Sequence, residues 1–273
     1  MAYVRTRLGR WFFEEGGTKS RDTDATIVLL HSLLCDGGMW RGQVPALEAL
    51  GRVVTIDGPG HGKSDVPPPF TLDEHARARV AAVDALAIPR ALIVGLSWGG
   101  MVAMRLALYR PEMLAGMVLL DTSADGTLLN ERVEYGLMCR FARRFGLPPV
   151  VVRKKIGPLM FSPTTLRTRP AMVDEFVRSV GGYSREGLDL ATHAVSIDRP
   201  SILESLRAIR VPTLIGYGDD DAATPGDHSR RIASRIPGAK LVSFKNAGHL
   251  SALEDPAQVN DAIVPFVREH LSV

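Results

Sequence analysis

Only two of the 273 residues are cysteine. Cys35 and Cys139 are too few for a disulfide framework or a thiolate zinc site, and both are expected to be buried free thiols. No run of about 18 apolar residues occurs, which argues against a membrane-spanning helix. The opening residues, Ala2-Tyr3-Val4-Arg5-Thr6-Arg7, lack the apolar core of a secretion signal, so a cytoplasmic protein is expected. The formal charge is only +3, and no Lys/Arg run or basic-aromatic interleaving occurs, so nucleic acid is not expected as a partner. A phosphate-cradling loop is also missing. Asp57-Gly58-Pro59-Gly60-His61-Gly62-Lys63-Ser64 has its glycines one residue too close, and Val66-Pro67-Pro68-Pro69 cannot start the helix such a loop needs. It is expected to be a glycine-rich turn, with His61 exposed or hydrogen-bonded locally.

What remains is a chain with 45% hydrophobic residues, enough for a sizeable core. Residues 3 to 15 read as a β-hairpin turning at Gly9. Ala25 to Leu30 is continuously apolar, as in a strand buried on both faces of a parallel sheet. Helical and strand patterns then alternate: Gln43 to Leu50, Arg52 to Ile56, and a helix from Thr71 to Leu86 whose start carries the capping-box pair Thr71 and Glu74. Further strands are expected at Ala91 to Val94 and Gly116 to Asp121. Short connections between alternating types predict right-handed crossovers and a mostly parallel sheet.

Gly95-Leu96-Ser97-Trp98-Gly99-Gly100 joins one of these strands directly to a helical run beginning at Met101. A serine between glycines at an abrupt strand-to-helix turn is a nucleophile elbow, with glycine wanted where a side chain would collide and where dihedrals are unusual. His31-Ser32-Leu33-Leu34 leaves the carboxyl end of the Ala25–Leu30 strand, where open α/β sheets bind ligands. It reads either as an ordinary turn or as an oxyanion loop, in which the Leu33 N–H would act with the N–H of Trp98. His31 is expected to be a structural hydrogen-bonding group. After the strand at 212–218 come Asp219, Asp220 and Asp221, and after the last strand His249 follows Gly248. Serine, acid, histidine is the chain order that accompanies this elbow.

Between about 125 and 210 strands disappear and Leu129, Val133, Leu137, Phe141 and Phe145 recur every fourth residue, predicting a helical insertion. Residues 125 to 210 hold fourteen Arg and Lys against nine Asp and Glu. That excess is either a solvated outer face or includes inward arginines that favour an anionic substrate. His193, in this region, is expected to pack.

With these pieces together the sequence resembles the α/β-hydrolase superfamily over nearly its whole length. It is similar to the branch of small carboxylesterases and 3-oxoadipate enol-lactonases, through His31-Ser32-Leu33, Gly95 to Gly100 and Gly248-His249-Leu250-Ser251. The resemblance implies an α/β-hydrolase fold with a mostly parallel central sheet flanked by helices. Its core would be residues 1–124 and 211–273, and residues 125–210 a helical cap. The family pattern places its acid just before Thr-Pro, here Thr224-Pro225, in the loop after the strand at 213, which selects Asp221 over Asp219 or Asp220, with Asp121, one strand earlier, the outside candidate. It implies Ser97 as nucleophile, His249 as base, and a small-molecule ester or lactone substrate cleaved with no metal or cofactor. Carbon–carbon bond hydrolysis by the same triad and a non-catalytic binding role are the alternatives.

Overall fold

The computed structural model describes residues 2–18 and 25–271. Eight strands form one sheet: β1 (Ala2–Thr6), β2 (Gly9–Gly16), β3 (Ala25–Leu30), β4 (Val53–Ile56), β5 (Arg90–Leu96), β6 (Leu114–Leu120), β7 (Thr213–Gly218) and β8 (Lys240–Phe244). Their order across the sheet is β1-β2-β4-β3-β5-β6-β7-β8. The hairpin β1-β2 is antiparallel, β2 joins β4 antiparallel, and every later pairing is parallel. Gly9 turns the hairpin at φ +103°, where a side chain would be strained.

The central strands β3 and β6 are buried along their whole length, as their unbroken apolar sequences require. Alternate residues feed two cores. Val28, Leu30 and Ile93 pack on one face with α1 (Leu72–Ala85) and α2 (Trp98–Tyr109). Ile27, Leu29 and Leu92 pack on the other with the C-terminal helix, through Val259, Ile263 and Phe266. The α1 helix starts with the expected capping box, Thr71 accepting from the Glu74 N–H while Glu74 accepts from the Thr71 N–H.

No strand interrupts residues 121–212 among the described residues. This stretch is helical, led by α3 (Leu129–Phe145), α4 (Pro170–Gly182) and α5 (Arg185–Thr192). It returns to the sheet at β7. The carboxyl ends of β3, β5, β6 and β7, with the loop after β8, therefore meet beneath it, on both sides of the point where strand order reverses between β4-β3 and β5.

Candidate active site

Ser97 lies between β5 and α2 at φ +52° and ψ −109°, a backbone conformation costly for any residue with a side chain. Surrounding bonds hold it there. Its N–H donates to the Leu120 carbonyl at 2.8 Å, and its own carbonyl accepts the Thr122 hydroxyl at 2.7 Å and the Met101 N–H at 2.9 Å. The flanking glycines serve closeness rather than dihedral freedom, since neither Gly95 nor Gly99 has positive φ. A Cβ at Gly95 would sit 2.5 Å from the Gly99 backbone, and one at Gly99 would sit 2.1 Å from the Leu30 carbonyl oxygen. The strained residue of the turn is the serine itself.

His249 is buried, and its Nδ1 meets Asp221 Oδ2 at 3.0 Å and Oδ1 at 3.1 Å. Asp221 is fixed in turn by the N–H groups of Ala223 and Thr224, both at 2.9 Å, and by the Thr224 hydroxyl at 2.8 Å. Burial disfavours charge on both partners. The charge and hydrogen bond of Asp221 overcome it at His249, whose pKa lies above the ordinary histidine value, and the same pairing with the Thr224 bonds brings Asp221 below the ordinary carboxylate value. Of the other acids after β7, Asp219 and Asp220 are exposed. Asp121 is fully buried nearby, but its oxygens accept from the Gly218 N–H at 2.7 Å and meet the Ser251 hydroxyl at 2.5 Å.

Ser97 and His249 open onto one cavity of about 460 Å³, lined also by Leu33 and, on the far side, by residues of the helical stretch such as Tyr135, Met138 and Met160. Among the described residues the Ser97 hydroxyl makes no hydrogen bond of ordinary geometry. The N–H groups of Leu33 and Trp98 are likewise not taken by any protein acceptor among the described residues, whereas the neighbouring Leu34 N–H donates to His61 Nε2 at 3.2 Å. His31 does act as a hydrogen-bonding strut: Nε2 accepts the Gly58 N–H at 2.6 Å, and Nδ1 meets the Ser32 carbonyl at 2.7 Å. His61 is not exposed. It is fully buried against Trp98 and Tyr183, and besides the local Pro59 carbonyl it braces the loop at Leu34.

Sequence reasoning missed two groups. Glu254, buried beside the His249 loop, accepts the Gly248 N–H at 2.8 Å and the Ser162 N–H at 2.9 Å, tying that loop to the helical stretch. Asp125, His228 and Arg231 form a polar patch on the cavity wall, with His228 Nδ1 2.7 Å and Arg231 Nη2 2.9 Å from Asp125. Nothing in the local sequence pairs positions 125 and 228, which the whole helical stretch and β7 separate. Arg199 lines the cavity too, and its Nε has no hydrogen-bond partner among the described residues. His193 does not pack inward as expected; half-exposed at a helix end, it faces Asp198 at 3.3 Å.

No described helix is long and apolar enough to cross a membrane, and no described cluster of His, Cys, Asp and Glu could hold a metal ion. The chain is 31% identical, over 98% of its length and 69% of the relative's, to the dihydrolipoyllysine-residue acetyltransferase component of an acetoin cleaving system from Pseudomonas putida. It is 25% identical to 3-oxoadipate enol-lactonase 2 of Acinetobacter baylyi, over 87% of this chain and 86% of that one. Among solved structures, a thermophilic esterase from Thermogutta terrifontis with malate bound superposes with a TM-score of 0.90 at 26% identity, over 99% of this chain and 100% of that one. Residues 27–262 match the model of the alpha/beta hydrolase family, and with the sheet order and the elbow described above the chain belongs to that family.

Proposed function

We propose that the protein is a serine hydrolase that cleaves a carboxylic ester or lactone through an acyl-enzyme. The observation that carries this reading is the strained Ser97 sharing a cavity with a histidine whose other face is anchored by a buried aspartate. A serine hydroxyl is a weak nucleophile at neutral pH, so His249 takes its proton as it attacks the carbonyl carbon. Asp221 holds the imidazole with Nδ1 protonated and stabilises the imidazolium. The free Leu33 and Trp98 N–H groups stabilise the tetrahedral oxyanion, each such donor being typically worth about 3 to 4 kcal/mol of barrier. His249 returns the proton to the leaving alkoxide, then activates water to release the acid. The hydroxyl–imidazole bond forms as substrate closes the site, as is common for catalytic contacts that are loose at rest. On this reading residues 125–210 are the cap of the pocket, on a core of 1–124 and 211–273. The names of the enol-lactonase and the esterase support the ester and lactone class.

Purified protein is expected to hydrolyse short p-nitrophenyl acyl esters and to be labelled by a fluorophosphonate at Ser97. Ser97→Ala is expected to lose at least about a thousandfold in kcat while keeping its melting temperature. Undiminished turnover in that variant would remove Ser97 from the role. A wild-type chain that resists labelling yet is stabilised by ligand would point to binding without catalysis. Faster cleavage of vinylogous diketones than of esters would move the assignment to carbon–carbon bond hydrolysis.

A further inference from the structure

The apolar row predicted along 129–145 does form a helix, but it faces away from the molecule. Thirteen large apolar side chains are exposed among the described residues, and seven of them lie between Leu128 and Phe145. Leu129 is 78% exposed, Leu137 65% and Phe141 50%. In an α-helix, residues four apart form oblique rows. The front row of α3 is Leu129, Val133, Leu137, Phe141 and Phe145. The back row holds Tyr135 and Cys139, which line the cavity. The two flanking rows differ in charge: Asn130, Glu134 and Met138 on one side, Arg132, Gly136, Arg140 and Arg144 on the other.

An apolar front between unlike flanks suits a self-complementary surface better than a lipid surface, which favours cations on both flanks. Two copies of α3 can bring their rows into line in the commonest helix packing, crossing at about −50°. With the twofold axis running along the rows, the flanks exchange, and the Glu134 row of each copy meets the Arg140 row of the other. With the axis across the rows, arginine would face arginine and Glu134 would face Glu134. Gly136, in the arginine row, has nothing within 4 Å of where a Cβ would stand, leaving room for a close crossing. We propose that the protein forms a twofold dimer through the outer face of α3, with the helices crossing in the first sense and Glu134 of each copy paired with Arg140 of the other. The same helix walls the cavity, so covering its outer face also steadies the pocket.

Sedimentation velocity across a concentration series tests this. The wild type is expected at twice the 29.6 kDa chain mass at the upper concentrations. Leu137→Glu is expected to sediment as a monomer with an unchanged melting temperature. Glu134→Arg is expected to raise the dissociation constant by roughly tenfold or more, two exposed pairs having become repulsive. Adding Arg140→Glu to it restores association. A wild type that stays monomeric throughout, or a Leu137→Glu variant that stays dimeric, overturns the proposal. So does a monomer that co-floats with phosphatidylglycerol vesicles, which would assign the face to lipid. Failure of the double charge swap to recover association overturns the crossing sense and the Glu134–Arg140 pairing.

Discussion

Asp221 and Asp121 are both buried near His249, and their surroundings push them in opposite directions. Asp221 touches the imidazole and gains two N–H bonds and a hydroxyl, which hold it ionised. Asp121 pays the full desolvation of a closed site, and the charge of Asp221 adds to it, so its pKa lies well above the ordinary carboxylate value. Asp221→Asn is therefore expected to cost roughly a thousandfold or more in kcat. Because only neutral His249 can accept a proton, kcat/KM should rise with pH along a limb above the ordinary histidine value, and Asp221→Asn should move that limb to lower pH. Asp121→Asn should move the limb less than Asp221→Asn does and keep kcat within about threefold, since Asp121 is the smaller influence on His249 and the amide can still bond the Gly218 N–H and the Ser251 hydroxyl. Because the native pKa of Asp121 is raised, its contribution to folding is complete below the unfolded pKa of about 3.9 and is lost as pH rises through the native value. The melting temperature of Asp121→Asn should accordingly gain on the wild type as pH rises. The opposite ranking of the two variants in pH-rate profiles would transfer the acid's role to Asp121.

The elbow shows what an element demands of its residues. Gly99 lies against the Leu30 carbonyl, where even a methyl would overlap backbone that β3 holds rigidly in the sheet. Gly99→Ala is expected to destabilise the fold by about 2 kcal/mol or more, read as a lowered denaturation midpoint. Retention of wild-type stability would show that α2 can shift away from β3. The elbow, the strands and the capping box were legible because each depends on a local pattern: two glycines, an apolar run, a threonine three residues before a glutamate. The face of α3 was not legible in the same way. A four-residue apolar repeat specifies a stripe, and the stripe's direction depends on what else the molecule packs against the helix. Here Tyr135 and Cys139 claim the inner side, leaving the five repeating residues outside.

Across the whole molecule, the basic excess of residues 125–210 is mostly on the outer surface, with Arg143, Lys154, Lys155 and Arg178 exposed. Arg199 is the inward exception. It lines the cavity, and burial lowers its pKa without neutralising it at ordinary pH. The wall is not simply cationic, since Asp125 and Glu131 also line it, but Arg231 is already bonded to Asp125 while Arg199 keeps an unpartnered Nε. Arg199→Ala is expected to raise KM for a carboxylate-bearing ester by roughly ten- to a hundredfold, the worth of one charged hydrogen bond. Its neutral methyl ester should change by less than about threefold. Equal effects on the two substrates would leave Arg199 as packing.

Sequence alone determined the alternation of strands and helices, the elbow at Ser97, and the order of serine, acid and histidine. These are properties of neighbours along the chain, where sterics and hydrogen bonding act over a few residues. Tertiary structure decided which aspartate meets His249, which loop amides stay free, and that His61 is buried. It also joined Asp125 to His228 and turned the apolar row of α3 to solvent. Those outcomes depend on how separate elements close over one another, and burial, which sets both pKa and exposure, exists only once they have done so.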